Sequence, residues 1–148
     1  MTVLPGMRHK VLAYITREQA GVRQVLVFDH QDQPEAGLQV PAGTVEPGEL
    51  IEPALWREIE EEAGLRPSVL RLVRKLAEHP EPAWGNIRHV FHLEALTRLP
   101  ETWIQTVGGT GEDRGYQFVY HWAGLDVILS GDQHRWLARL REGAHEKP

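Results

Sequence analysis

The sequence predicts one α/β domain, and three observations carry that expectation. Short apolar or alternating runs bounded by Gly, Pro and polar residues recur along the chain, which is the signature of strands. Two stretches, one ending at Gly64 and one at 132–141, instead carry apolar residues at helical spacing. At 148 residues the length suits a single core, since domains of that size bury about two-thirds of their unfolded surface. No internal repeat or low-complexity segment divides the chain, so residues 1–148 read as a single domain.

Taken in order, 10–17 (KVLAYITR) and 24–28 (QVLVF) read as two strands joined by a turn at Ala20 and Gly21. Residues 29–37 are polar and contain proline, hence a loop, and 38–41 is a short extended piece leading into glycines. A helix starts near Glu52 or Pro53, where the missing N–H of proline costs nothing. It stops at Gly64, and Pro67 prevents its return. Residues 69–77 have the β-branched and leucine content of a strand, which the prolines of 78–84 (EHPEPAW) break. The run 87–96 (IRHVFHLEAL) alternates apolar and polar residues, predicting a strand with one wet face. A short strand at 103–107, a glycine-rich loop at 108–115 and an aromatic strand at 116–122 follow. The terminal amphipathic helix, 132–141, turns Trp136, Leu137 and Leu140 inward.

Composition narrows the function classes. The formal charge of -5 offers no general attraction to polymeric nucleic acid or to an anionic membrane. The absence of cysteine removes disulfides, thiol nucleophiles and thiolate metal sites together. With no apolar segment approaching a membrane span and no signal-like N-terminus, a soluble cytoplasmic protein is expected. The eight histidines lack metal-ligand spacing and read as surface or core residues. The acidity is local, because Glu46, Glu49, Glu52, Glu58, Glu60, Glu61 and Glu62 surround a single Arg57. An anionic substrate meets repulsion there unless cations bridge it.

That acidic segment, 43–65 (GTVEPGELIEPALWREIEEEAGL), carries the chemistry. Glu58, Glu61 and Glu62 stand at i, i+3 and i+4, so at about 100° per residue they fall within roughly a 100° arc of one helical face. Leu55, Trp56, Ile59 and Ala63 occupy the neighbouring arc and seat the helix on a core. Glu60 points about 140° away and is the one ordinary surface carboxylate. Like charges at these spacings oppose folding, and the natural occupant between them is a hard divalent cation, Mg²⁺ or Mn²⁺, bound by oxygen. Gly43 and Gly48 give the preceding loop conformations closed to other residues. Arg57 points toward neither the acidic centre nor the apolar stripe, and a bidentate guanidinium of that kind is best used to hold a carboxylate, with Glu49 its partner.

At every fixed position this segment resembles the signature of the Nudix hydrolases: Gly43, five residues, Glu49, seven residues, Arg57-Glu58, Ile59, one residue, Glu61-Glu62, one residue, Gly64-Leu65. At ordinary residue frequencies the match arises by chance in roughly one window in a hundred million. The resemblance implies the Nudix fold, a mixed sheet sandwiched between helices. It implies a Mg²⁺ or Mn²⁺ dependent pyrophosphohydrolase acting on a small molecule. Its substrate would be a nucleoside diphosphate linked to another moiety, such as a nucleotide sugar, an ADP-ribose-like compound or a (d)NTP. Position for position, Glu61 and Glu62 are then metal ligands, the Gly43 carbonyl an additional one, and Glu58 a ligand or the general base. Some members recruit a base from a later loop, for which Glu112 is the first candidate here and Asp113 the second. The Arg57 and Glu49 pair locks the loop against the helix. Pro80 stands 15 residues after Leu65, a spacing that accompanies ADP-ribose substrates in some subfamilies, though a turn uses these prolines as well. Trp84 is a candidate for stacking on a base, and Arg88 and Arg114 for phosphate contacts. The competing reading is a non-catalytic Nudix-fold nucleotide-binding or sensor module, against which the intact glutamate set argues. An isomerase on the same fold would use a cysteine that this chain lacks. A homodimer is compatible with the sequence.

Overall fold

In the computed structural model, which describes residues 6–144 and side chains as far as Arg141, the chain reverses at Ala20 and Gly21, at φ 51° and 79°. Two consecutive left-handed residues are what a type I′ hairpin turn needs. They join β1 (Arg8–Gln19) to β2 (Val22–His30), with Gln19 opposite Val22. The short strand after the loop is displaced from its expected place. Residues 38–41 contribute only a bridge between Gln39 and Phe28, and β3 is Ala42–Thr44, pairing Lys10 with Thr44 and Val11 with Gly43. Gly43 is therefore held in a sheet rather than in a free loop, and β1 divides its length between β3 and β2.

The helix α1 spans Ile51–Ala63 and ends at Gly64, whose φ of 74° and N–H bond to the Glu60 carbonyl make a left-handed cap. Downstream lie β4 (Leu70–Glu81), β5 (Asn86–Ala95), β6 (Thr102–Thr106), β7 (Gln117–Gly124) and α2 (Ala138–Ala144). The sheet order is β4-β5-β1-β2-β7-β6 with β3 beside β1, and only the β1–β5 pairing is parallel. One core lies between the sheet and α1, where Ala54, Leu55, Ile59 and Ala63 meet Val11, Ile15, Leu26 and Phe118. The other lies on the opposite face, where Trp136, Leu137 and Leu140 meet Leu12, Tyr14, Val27 and Val90. The sheet is thus covered by helical segments on both faces, as the resemblance implied.

Three expectations need correction. Residues 78–81 do not break the strand: β4 runs on through Pro80, because β4 is an edge strand and tolerates a residue without an N–H. Register shifts at Leu72/Arg74 and Lys75/Ala77 bend it, and the chain turns only at Pro82–Trp84, with Gly85 at φ 68°. The strand at β5 has no wet face. It lies between β4 and β1, and its histidines are buried with partners: His89 Nε2 meets His9 Nδ1 at 2.8 Å, and His92 Nε2 meets Thr16 Oγ1 at 2.9 Å. A histidine reads as polar in the alternation yet is satisfied inside by one or two bonds. The terminal helix begins as a 3₁₀ turn, Gln133–Trp136, before α2, although its three inward residues are those expected. No helix among the described residues is long and apolar enough to cross a membrane.

Candidate active site

The helix α1 carries its glutamates to the edge where β3 meets β1, and two glycines receive them. A Cβ on Gly43 would fall 2.0 Å from the Glu58 carboxyl carbon, and one on Gly109 would fall 2.4 Å from that of Glu61. Both carboxylates thus lie directly against backbone. Glu62 points deeper: its side chain is buried, and Oε1 accepts a hydrogen bond from Ala42 N–H at 3.1 Å. The Tyr120 hydroxyl donates to the Glu62 carbonyl at 2.9 Å, which pins this turn of the helix to β7. Glu60 faces solvent and meets only Arg66, at 3.9 Å, as a surface carboxylate should.

Arg57 corrects one expectation. It does form the fork with Glu49, donating from Nε at 2.8 Å and from Nη2 at 2.9 Å, and Nη2 also reaches the Thr44 carbonyl at 3.1 Å. Yet it also engages the acidic centre, with Nη1 donating to Glu58 at 3.0 Å and to Glu61 at 3.1 Å. The helical wheel places side chains by their Cβ direction, whereas the long arginine stem spans to its i+4 neighbour. The hydrogen bonds from Arg57 hold the Glu49 carboxyl below the usual carboxylate range. Burial pushes the Glu58 carboxyl up to about 7, with Glu61 and Glu49 adding to the rise and Arg57 opposing it. Burial also drives Glu62 well above its ordinary value, assisted by the charges of Glu58, Asp113 and Glu61 against the pull of the Ala42 N–H.

These groups line a cavity of about 530 Å³. Gly43, Arg57, Glu58, Glu61, Glu62, Glu112 and Arg88 all lie on its wall, as does Asp113. Trp84 and Arg114 do not: Trp84 is exposed on the turn between β4 and β5, and Arg114 sits in the exposed loop after β6. The wall also contains Arg8, Lys10 and Gln133, none of them singled out from the sequence. Arg8 and Lys10 alternate on β1, and only the parallel pairing with β5 sets Lys10 opposite Arg88, so no local signal in the sequence marks them.

The donor set suits a hard cation. Carboxylate oxygens of Glu58, Glu61 and Glu62 and the carbonyl of Gly43 are oxygen ligands of the kind Mg²⁺ and Mn²⁺ take. Among the described residues no three acidic or histidine side chains already stand at metal-binding distance. Glu58 and Glu61 instead share one cationic partner, Arg57 Nη1, at 3.0 and 3.1 Å.

Comparison with known proteins gives a concordant result. The NUDIX domain model matches residues 7–140. The fold is similar to a Nudix hydrolase from M. smegmatis, RenU, with TM-score 0.66, 17% identity, and 98% of this chain and 91% of that one covered. A C. elegans Ap4A hydrolase in a binary complex is similar with TM-score 0.64 at 17% identity, over 93% of this chain and 97% of that one. The NUDIX domain of Shewanella oneidensis NrtR complexed with ADP ribose gives TM-score 0.63 at 17% identity, over 95% and 90%. At these identities the likeness is one of fold. No curated protein sequence matches the chain.

Proposed function

The chain belongs to the Nudix hydrolase family, a family of pyrophosphohydrolases, and on that premise we propose that it cleaves the pyrophosphate bond of a nucleoside diphosphate linked to another moiety, with Mg²⁺ or Mn²⁺ as cofactor. The observation that carries this is the delivery of Glu58, Glu61 and Glu62 by one helix to the wall of one cavity that also holds Arg8, Lys10 and Arg88. Glu61 and Glu62 hold the ion, together with the Gly43 carbonyl. When bound, the ion supplies charge neutralisation on the diphosphate oxygens and lowers the pKa of a water. Glu58 serves as a further ligand or as the proton acceptor. Glu112 is an alternative acceptor from the 108–115 loop, with Asp113 second, since both line the cavity. Arg57, held by Glu49, would orient Glu58 and Glu61 beside the ion.

Arg88 contacts phosphate within the cavity. Trp84 and Arg114 lie outside the lining and act, if on substrate at all, on a group that projects beyond it. The similar Shewanella domain was solved with ADP ribose and the C. elegans protein is an Ap4A hydrolase, which makes nucleoside diphosphate derivatives the class to test first. We take residues 1–148 as one cytoplasmic Nudix domain with a small-molecule substrate and no polymeric nucleic acid or membrane partner.

The test is a panel of nucleoside diphosphate derivatives and (d)NTPs incubated with Mg²⁺ or Mn²⁺, products being separated to show which phosphorus is attacked. Glu61→Gln and Glu62→Gln each lower turnover by at least about a hundredfold while the far-UV spectrum stays native. Wild-type rates in both variants remove them from the chemistry. A panel that binds without being cleaved replaces the hydrolase by the sensor module.

A further inference from the structure

We infer that Gln133 selects the base of the substrate: its carboxamide N–H₂ donates to the keto oxygen of the base, so that keto bases are preferred to amino bases. This rests on the nucleoside diphosphate reading of the cavity. Gln133 lines that cavity yet is only 8% exposed. Its Oε1 accepts from Val40 N–H at 2.9 Å. An N–H needs an oxygen, so this bond settles which end of the carboxamide faces inward and leaves Nε2 on the free side. There Nε2 meets no acceptor among the described residues. The backbone of Gln133 is fixed as well: its carbonyl accepts from the buried Tyr14 hydroxyl, and its N–H donates to the Ser130 carbonyl at 3.1 Å.

The turn that presents Gln133 carries strain. Gly131 and Asp132 lie at φ 63° and 62°. Two left-handed residues in succession, the second not a glycine, persist only where the surroundings require them. Here the Tyr14 hydroxyl accepts from Trp136 N–H at 3.3 Å while it donates to Gln133, and Arg135 Nε donates to the Asp132 carboxylate at 2.8 Å. A strained turn tied at both ends thus delivers one donor to the cavity wall.

Its place suits a base. Two residues beyond Val40, the Ala42 N–H donates to Glu62 Oε1, and two residues of extended chain measure about 6–7 Å. Gln133 therefore stands beside the glutamates without belonging to them. It is neutral, and Leu12, Val40 and Trp136 around it are apolar. Such surroundings favour a neutral acceptor over a phosphoryl oxygen, whose charge is better met by the ion and by arginine. None of the five Trp, three Tyr and three Phe, all within the described residues, lines the cavity. A base held without a stacking ring is identified on its edge, and a group that only donates discriminates there. A keto oxygen accepts from it, whereas the amino group of adenine or cytosine sets donor against donor and leaves both unpaired.

Calorimetric titration of the whole protein in Mg²⁺ with two pairs of similar shape, IMP against AMP and UMP against CMP, tests this without requiring turnover. In a pair that binds, the keto member binds about tenfold or more tightly, the worth of one bond made against one donor left unpaired. Gln133→Met removes the donor and brings the two members within about twofold of each other. Gln133→Glu keeps an oxygen for Val40 N–H, so the turn retains its bond, and favours the amino member. A role confined to holding Val40 moves both members alike and leaves the ratio where it was. Wild-type ratios in both variants, or equal affinity of the wild type for the members of both pairs, overturn the inference. So does failure of all four nucleotides to bind, or a loss in Gln133→Met as large for inorganic pyrophosphate as for the keto nucleotide, which places the amide on phosphate. Cleavage of nucleoside diphosphate derivatives without regard to the base overturns it and leaves the hydrolase assignment standing. Keto preference in binding with no derivative cleaved does the reverse.

Discussion

Gly43 and Gly109 have no room for a side chain because each backs onto a glutamate of α1. The two differ in what a methyl group would cost. Gly43 has ordinary strand backbone, so in Gly43→Ala the clash at 2.0 Å falls on the end of the Glu58 side chain, which moves. Stability then changes little while the carboxylate is displaced, and a misplacement of about 1 Å near reacting atoms can cost on the order of a hundredfold. Gly43→Ala is therefore expected to lower kcat by at least about tenfold, with a melting temperature within a few degrees of wild type. Gly109 sits at φ 79°, so Gly109→Ala strains the backbone as well as pushing Glu61. It loses both activity and about 1 kcal/mol or more of stability. Paired kinetics and thermal melts separate the two outcomes, and equal melting temperatures in both variants would remove the backbone argument.

At the scale of the element, α1 and its approach act as one unit tied by Arg57. The guanidinium bonds Glu49 in a fork while touching Glu58 and Glu61. Replacing it by lysine keeps the charge and loses the fork. Partners that orient metal ligands contribute tenfold to a hundredfold in metal affinity or activity. Arg57→Lys and Glu49→Gln are thus each expected to raise the Mg²⁺ concentration for half-maximal activity by about tenfold or more. An unchanged Mg²⁺ activation curve in both variants would reduce the pair to ornament. This helix was also the most legible part of the chain. Its stop at Gly64, its buried Leu55 and Ile59 and its exposed Glu60 follow from a 3.6-residue period and a glycine cap, both local properties. What was not legible depends on contacts distant in sequence. Burial of His89 and His92 requires β5 to lie beside β1, a parallel pairing about 80 residues apart. The tolerance of Pro80 requires β4 to be an edge strand, and the approach of Arg8 and Lys10 to Arg88 requires the same β1–β5 pairing. Periodicity shows which residues share a face of one strand, and neighbours across strands are chosen by the assembled sheet. Trp84, a candidate for stacking on a base, stands 78% exposed on a turn outside the cavity lining, a placement that its local sequence does not specify.

For the molecule as a whole, two sets of buried titrating groups act on stability in opposite directions over overlapping pH windows, from about 4 to 6.5 for two histidines and from 4.5 to about 7 for Glu58. Burial lowers His89 and His92 from 6.5 to about 4 in the folded protein. Between those values the unfolded chain binds their protons and the folded one does not, so stability is present above about 6.5 and is lost as pH falls toward 4. Glu58 behaves oppositely. Its folded pKa of about 7 lies above the ordinary 4.5, and Glu62 is shifted in the same direction. In that window the folded protein holds the protons, so stability is greatest below about 4.5 and is lost as pH rises through 7. In chelator the melting temperature should therefore decline on both flanks, for different reasons. A divalent cation acts on one flank only, since it binds the ionised carboxylates and competes with their protons. At a hundred times its Kd an ion bound to the folded state alone adds about 2.7 kcal/mol, several degrees of melting temperature for a chain of this size. The Mg²⁺-induced rise is expected to be near its full value at pH 8 and to vanish toward pH 5, while the acid flank stays unchanged. Glu58→Gln removes a buried charge, so in chelator it should melt above wild type at pH 8, with the difference closing by pH 4.5. Differential scanning across this range, with and without Mg²⁺, decides it, and a Mg²⁺ shift of equal size at pH 5 and pH 8 would mean that the ion binds somewhere other than these carboxylates.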